Sequence, residues 1–251
     1  MSGSEALPWN EELIELIIRR QHQLDFKNNR LILFSLCANK NLPWSDFFLD
    51  KYQEYLDWGA LSSNEVLSWN EALIKRFEDR WHCVDLSGNQ ALPWSDVLID
   101  QYQYRWDWIK LSGNKAIPWS LELIDRYHDL WLWGCIEDNN ENYLYGLSYN
   151  NSLPWSENFI IKYWNYWSWV GLSKNEKLPW TKLFLEQYED QWDWWALSIN
   201  EALPWTKALL EQYQDRWDWR ALSTNEALPW TEALLEQYQD RWDWFNLSIN
   251  K

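Results

Sequence analysis

The chain has 251 residues, with 25 Trp and 13 Tyr against only 7 Gly, and a formal charge of −16. Aromatics at that density exclude a disordered chain. The charge opposes the phosphates of nucleic acid and an anionic membrane surface, and where a partner is charged it favours a basic one.

The opening Met1-Ser2-Gly3-Ser4-Glu5 lacks the basic and apolar regions of a secretory signal. No apolar run approaches the roughly 20 residues of a membrane span. Cys37, Cys83 and Cys135 are odd in number and form no C-x-x-C pattern, which predicts reduced, structural thiols. A soluble, cytoplasmic protein is expected.

Internal repetition dominates the chain, and it has to be read before any single motif. The motif Leu-Pro-Trp recurs with its Trp at 9, 44, 69, 94, 119, 155, 180, 205 and 230, a spacing of 25 residues broken by two gaps of 35 and 36. With the Pro as slot 1, repeats start near residues 8, 43, 68, 93, 118, 154, 179, 204 and 229; Ser68 replaces Pro in the third. One pattern thus accounts for residues 1–251 as a single repeat domain.

Each repeat predicts a helix, a tight turn and a second helix. Slot 3 is Asn10, Ser45, Asn70, Ser95, Ser120, Ser156, Thr181, Thr206 or Thr231. All are N-cap formers, whose side-chain oxygen accepts from a free N–H of the first turn. Apolar residues at slots 6, 7, 10 and 14 (Leu209, Leu210, Tyr213 and Trp217 in the eighth repeat) have helical spacing and predict one long first helix. Slots 14 and 16 are both usually Trp. Residues two apart on one helix point roughly 200° apart, so a turn between them is expected. Asp57, Asp107, Asp193, Asp218 and Asp243 at slot 15 would cap a shorter second helix. Asn at slot 22, from Asn39 to Asn250, would end that helix in the left-handed conformation. The recurrent Ser of slot 20 would help close the turn between repeats.

Neither helix can bury its aromatic stripe alone, so neighbouring repeats must stack. The expected fold is all-α: an α-solenoid of nine helix-turn-helix repeats of about 25 residues. The first and fifth repeats carry insertions at about 22–34 and 134–146, which read either as β-hairpins or as surface loops.

The pattern Leu-Ser-x-Asn-x-x-Leu-Pro-Trp-Ser/Thr, followed by Tyr-x-Asp-x-Trp-x-Trp, resembles Trp-rich repeats of uncharacterised bacterial proteins. The resemblance covers nearly the whole chain and implies no activity and no catalytic residue. In architecture alone it is similar to tetratricopeptide and pentatricopeptide solenoids, whose repeats are longer.

No enzymatic pattern emerges, and no cofactor or metal is expected. His22, His82 and His128 have no partner spacing of the metal-site kind and read as surface or capping residues. Cys37 and Cys83 stand where other repeats have Ser and Trp and read as packing substitutions. The carboxylates of slots 8 and 12, such as Glu211/Asp215 and Glu236/Asp240, share a helix face in successive repeats, as a solvated acidic rib would.

Variation between near-identical repeats points elsewhere. Slots 17 and 21 change where the rest of the repeat does not, and lie one turn apart on the second helix. The shorter helices of a solenoid tend to line its concave side, where repeat proteins commonly bind. The candidate binding residues are therefore Ile109, Tyr149, Val170, Lys174, Trp195, Ile199, Arg220, Thr224, Phe245 and Ile249. The competing reading is free drift of exposed positions, against which stand the apolar Trp195, Phe245, Ile199 and Ile249. The leading expectation is a non-enzymatic binding or scaffold protein for a protein or peptide. The alternative is an acidic nucleic-acid mimic that occupies a phosphate-binding groove. Single-stranded nucleic acid is disfavoured by charge, and sugar binding by burial of the Trp slots. The last repeat ends at Asn250-Lys251 without a polar cap, so self-association through it is a further expectation.

Overall fold

The computed structural model describes residues 11–21, 33–42, 44–137 and 143–250. It is built almost wholly of short helices and divides into two compact bodies, Met1–Pro118 and Trp119–Lys251. In the first body α1 (Glu11–Gln21) precedes a helical segment at 33–37, and then come α2 (Asp46–Tyr52), α3 (Trp58–Ser62), α4 (Glu71–Arg76), α5 (Cys83–Gly88), α6 (Asp96–Gln101) and α7 (Trp108–Gly113). The second body holds α8 (Leu121–Arg126), strands β1 (Cys135–Glu137) and β2 (Tyr143–Tyr145), and a 3-10 turn at Leu147–Tyr149. It continues with α9 (Glu157–Lys162), α10 (Trp169–Lys174), α11 (Lys182–Gln187), α12 (Trp194–Ile199), α13 (Lys207–Gln212), α14 (Trp219–Leu222), α15 (Glu232–Gln237) and α16 (Trp244–Ile249).

The expected start signals are local and the structure follows them. From Ser45 to Thr231 every described slot-3 side chain accepts from the backbone N–H three residues on. Slot 15 does the same for the second helix through Asp57, Asp107, Ser168, Asp193, Asp218 and Asp243. His82 occupies that slot but caps nothing; its Nδ1 lies 2.7 Å from Asp85 Oδ2 instead. Asn10 and His22 lie outside the described residues.

The long first helix forms in the first repeat, as the eleven-residue α1 over slots 4 to 14, but not in the later ones. There it ends at or just before the slot-10 aromatic, after six residues in most repeats, and the chain runs on to slot 14 as turns. A six-residue helix leaves most of its carbonyls without an i+4 partner, and tryptophan supplies the donors. The slot-14 indole N–H reaches back to the slot-7 carbonyl, as in Trp81 to Ile74 (3.1 Å), Trp167 to Ile160 (3.0 Å) and Trp192 to Leu185 (3.1 Å). The slot-16 indole binds the slot-11 carbonyl, as in Trp219 to Gln214 (2.9 Å). The slot-2 indole binds the carbonyl of the preceding Asn, as in Trp205 to Asn200 (3.0 Å). The Trp content is thus explained twice over, by apolar burial and by backbone satisfaction. In the last two repeats the slot-14 indoles of Trp217 and Trp242 are buried without such a partner.

The slot-22 Asn departs further from expectation. It is not left-handed: Asn200 has φ −78°, ψ 113°, and Asn89, Asn114, Asn150, Asn175 and Asn250 are likewise extended. Its side chain works instead. Asn200 Nδ2 donates to Ser173 O (2.9 Å) and Asn175 O (3.3 Å) of the preceding repeat, and its Oδ1 accepts from Ala202 N (2.9 Å). The arrangement recurs at Asn64, Asn89, Asn114, Asn225 and Asn250 for the donor bonds.

Slot-20 Ser forms a parallel line. Ser198 Oγ donates to Trp194 O (2.6 Å) and accepts from Asp218 N of the next repeat (3.0 Å), and Ser62, Ser87, Ser173 and Ser223 do likewise. Both residue types are fully buried wherever they are internal, polar groups that the surrounding backbone satisfies completely. Cys37 stands in for Ser by accepting from Asp57 N at 3.2 Å, and burial pushes its thiol up to about 12.

Second helices of successive repeats pack on each other: α3, α5 and α7 in the first body, and the 3-10 turn, α10, α12 and α14 in the second. Within each body the slot-16 Trp residues Trp58, Trp133, Trp169, Trp194 and Trp219 pack against aromatics of the next repeat, Trp194 lying 4.8 Å from Tyr213 and 4.9 Å, edge-on, from Trp217. The second insertion is a two-stranded antiparallel ribbon pairing Cys135 with Tyr145 and Glu137 with Tyr143. Its base is closed by Gly146 N to Gly134 O (2.7 Å) and Ser148 N to Trp133 O (2.9 Å), so Ser148 keeps its place in the Ser line. At Gly146 an added Cβ would meet Leu132 O at 2.0 Å, which explains glycine there. Most of the first insertion lies outside the described residues.

Candidate functional site

Slots 17 and 21 point outward from the second helices because slots 16, 19 and 20 point inward. Leu172, Leu197 and Leu222 (slot 19) are fully buried, while Val170, Trp195 and Arg220 (slot 17) are exposed. Of the candidate residues only Ile109 belongs to the first body, at the edge of exposure on α7. The others form a row across the second.

That row begins at Tyr149, which is half-buried. Its ring lies 4.7 Å from that of Tyr145 of β2, tilted by 48°, and its hydroxyl donates to the Cys135 sulphur at 3.6 Å. Burial and that thiol raise the phenol to about 12, so it stays protonated. The same ring covers Gly171, where an added Cβ would approach it and Ser148 Cβ to 2.7 Å; the second, seventh and eighth repeats place Ala60, Ala196 and Ala221 at that slot. Slot 21 of one repeat thus touches slot 18 of the next.

Lys174 of slot 21 instead reaches slot 17 of the next repeat, its Nζ 5.2 Å from the Trp195 ring, within cation–π range. Trp195 is 50% exposed although nearly every other Trp is buried or half-buried. Ile199 lies beside it at the same exposure class. Arg220 has its Nε 3.7 Å from Asp243 Oδ2 and otherwise extends into solvent, and Thr224 Oγ1 is turned back to Ala221 O (2.7 Å). Phe245 (74% exposed) and Ile249 (63%) end the row. The Lys–Trp contact was not visible in the sequence, since it depends on which repeats are neighbours, whereas the flanking ribbon is the β-hairpin reading of the 134–146 insertion.

The opposite-charge pattern of the other surface is more self-contained than the sequence suggests. The acidic residues of one repeat meet a cation of the next: Arg216 with Asp190 (3.3 Å), Arg241 with Asp215 (3.0 Å), Lys162 with Asp125 (2.5 Å), and Arg76 with Asp50. Lys162 and the Tyr163 hydroxyl hold the Asp125 carboxyl below its ordinary value. His128 is half-buried rather than outward: its ring sits 4.3 Å from Tyr166 and 5.4 Å from Trp133, with Nδ1 2.9 Å from Asp129. Among the described residues no His/Cys/Asp/Glu group could hold a metal ion, and no helix is long and apolar enough to cross a membrane. The three cysteines are free; Cys83 is half-buried and Cys135 exposed, so only Cys37 fits the expectation of a packed thiol. The chain matches no protein-family model, no curated protein and no solved structure.

Proposed function

We propose that the protein is a non-enzymatic binding or scaffold protein whose repeats stack as an α-solenoid and whose second-helix face takes a protein or peptide. The observation that carries the reading is the contrast on α12. Trp194 and Leu197 face inward and are packed, whereas Trp195 and Ile199 face solvent beside Lys174. A large indole held in the open has no role in the packing just described, and exposed aromatic and Arg side chains are the usual anchors of protein interfaces. The ordered contacts of second helices within each body support the stacked arrangement. The ion pairs between repeats weigh against the nucleic-acid mimic, because much of the carboxylate array is matched by Arg and Lys from the chain itself.

Capture from a native lysate tests the proposal. The double variant Trp195→Ala, Phe245→Ala should lose a partner that the parent retains. Retention of every partner by that variant rules the face out, and binding abolished instead by charge reversal at Glu211 and Asp215 would favour the mimic.

A further inference from the structure

The third repeat lacks the indole that its sister repeats hand to the next one along. In the second, sixth, seventh and eighth repeats the slot-16 Trp enters between the slot-10 aromatic and the slot-14 Trp of the following repeat. Trp58 lies 5.0 Å from Phe77 and 4.8 Å from Trp81, and its N–H donates to the slot-11 carbonyl, Gln53 O, at 2.9 Å. Trp219 donates likewise to Gln214 O (2.9 Å). There the Arg241 guanidinium stands 5.4 Å from the Trp219 ring and donates to the same carbonyl at 2.6 Å. The third repeat has Cys83 at slot 16.

The walls that would receive the ring are kept all the same. Tyr102 and Trp106 of the fourth repeat lie 5.9 Å apart, against 6.0 Å for Tyr213 and Trp217 and 6.2 Å for Tyr238 and Trp242. Glu78 O, the slot-11 carbonyl, accepts from Arg105, the counterpart of Arg241, and from no other described group. Cys83 Sγ turns to Trp81 O (3.8 Å). Together with Ile74 and Leu86 these residues line a recess of about 240 Å³ including its open mouth. At rest only about 10 Å³ of it is free, room for roughly one water molecule. Entry of a ring therefore requires the half-buried Arg105 side chain to move aside.

We infer that this recess is a binding site for a free, flat aromatic molecule of indole size that carries one N–H donor. The bound ring lies between Tyr102 and Trp106, its N–H takes the remaining lone pair of Glu78 O, and Arg105 closes over its face as Arg241 closes over Trp219. Apolar recesses left by a missing core side chain take up small aromatic molecules. The guanidinium adds a cation–π contact and the Cys83 sulphur a ring contact. The site lies apart from the outward slots 17 and 21 and stands independently of the function proposed for them.

Fluorine NMR of 5-fluoroindole added to the whole chain tests this with the parent, Cys83→Ala and Cys83→Trp, and with 5-fluoro-1-methylindole, which lacks the donor. The parent should bind with a Kd of about 0.1–1 mM. Cys83→Ala removes the sulphur and no wall, and should bind within ~3-fold of the parent or more tightly. The methylated ligand should bind at least ~5-fold more weakly, the loss of one hydrogen bond. Cys83→Trp restores the side chain of the sister repeats, so it should melt no lower than the parent and bind at least ~10-fold more weakly. No binding by the parent at ~5 mM ligand, equal binding by Cys83→Trp, or equal binding of the methylated ligand each overturns the inference. A Cys83→Trp chain that melts below the parent also overturns it, because the walls then do not admit an indole.

Discussion

Asn200→Ala removes one rung of the Asn line, and its cost follows from the bonds it deletes. Asn200 is 3% exposed; Ala leaves Ser173 O and Asn175 O without its amide N–H and leaves Ala202 N without its carbonyl oxygen. A net hydrogen bond is worth ~1 kcal/mol, and a buried group left unpaired costs about 1–3 kcal/mol. The two short bonds, both 2.9 Å, set the loss at about 2–4 kcal/mol, with the 3.3 Å contact to Asn175 adding little. Asn200→Asp separates donor from shape. It keeps the acceptor for Ala202 N but at neutral pH presents a carboxylate to two carbonyls, so it should cost at least as much as Ala. Urea unfolding followed by Trp fluorescence reads the shift in midpoint at unchanged slope. A loss below ~0.5 kcal/mol in both variants, the range of ordinary surface changes, would refute the ladder as a source of stability.

Trp192→Ala should cost about 3–5 kcal/mol, because the side chain is buried among Trp169, Trp180, Phe184 and Tyr188 and its indole satisfies Leu185 O. The half-buried Trp205 should cost less than Trp192, and thermal melts of both variants rank them. Gly171→Ala drives a methyl into the Tyr149 ring and should destabilise by about 1–3 kcal/mol, with part of the loss recovered by adding Tyr149→Thr; a double variant no better than the single one contradicts that contact. The folded-state value of Asp125 is depressed below 3.8 by Lys162 and Tyr163, so its contribution is present above the unfolded value and lost as pH falls through the folded one. Acid titration of stability should therefore be shallower below about pH 4 in Asp125→Asn than in the parent.

Helix starts were legible because capping is local: Thr206 and Asp218 bond N–H groups three residues away, within reach of any reading of the chain. Helix ends were not. The spacing of Leu209, Leu210, Tyr213 and Trp217 fits one long helix, yet the helix stops at Gln212. In the repeats where the slot-14 indole reaches the slot-7 carbonyl, the bond closes the helix by folding the chain back on itself. Asn200 was misread for a similar reason. Its preference for left-handed backbone is a property of the residue, whereas its bonds to Ser173 O and Asn175 O belong to a neighbour 25 to 27 residues away. The outward face was legible in slots 17 and 21, since variation among near-identical repeats separates free positions from packed ones. Its detailed make-up, with Lys174 lying over Trp195 and Tyr149 packed under the ribbon, needed the neighbours in place.

The account holds that slots 2, 14, 16, 20 and 22 build the scaffold and that slots 17 and 21 do the recognising. A variant with Val170, Lys174, Trp195, Ile199, Arg220 and Thr224 all changed to Ser or Asn tests that division directly, measured for melting temperature and partner capture side by side. The account predicts a melting temperature within a few degrees of the parent, since surface changes cost little, and complete loss of the captured partner. A variant that melts far below the parent, or one that melts normally and still holds its partner, contradicts it.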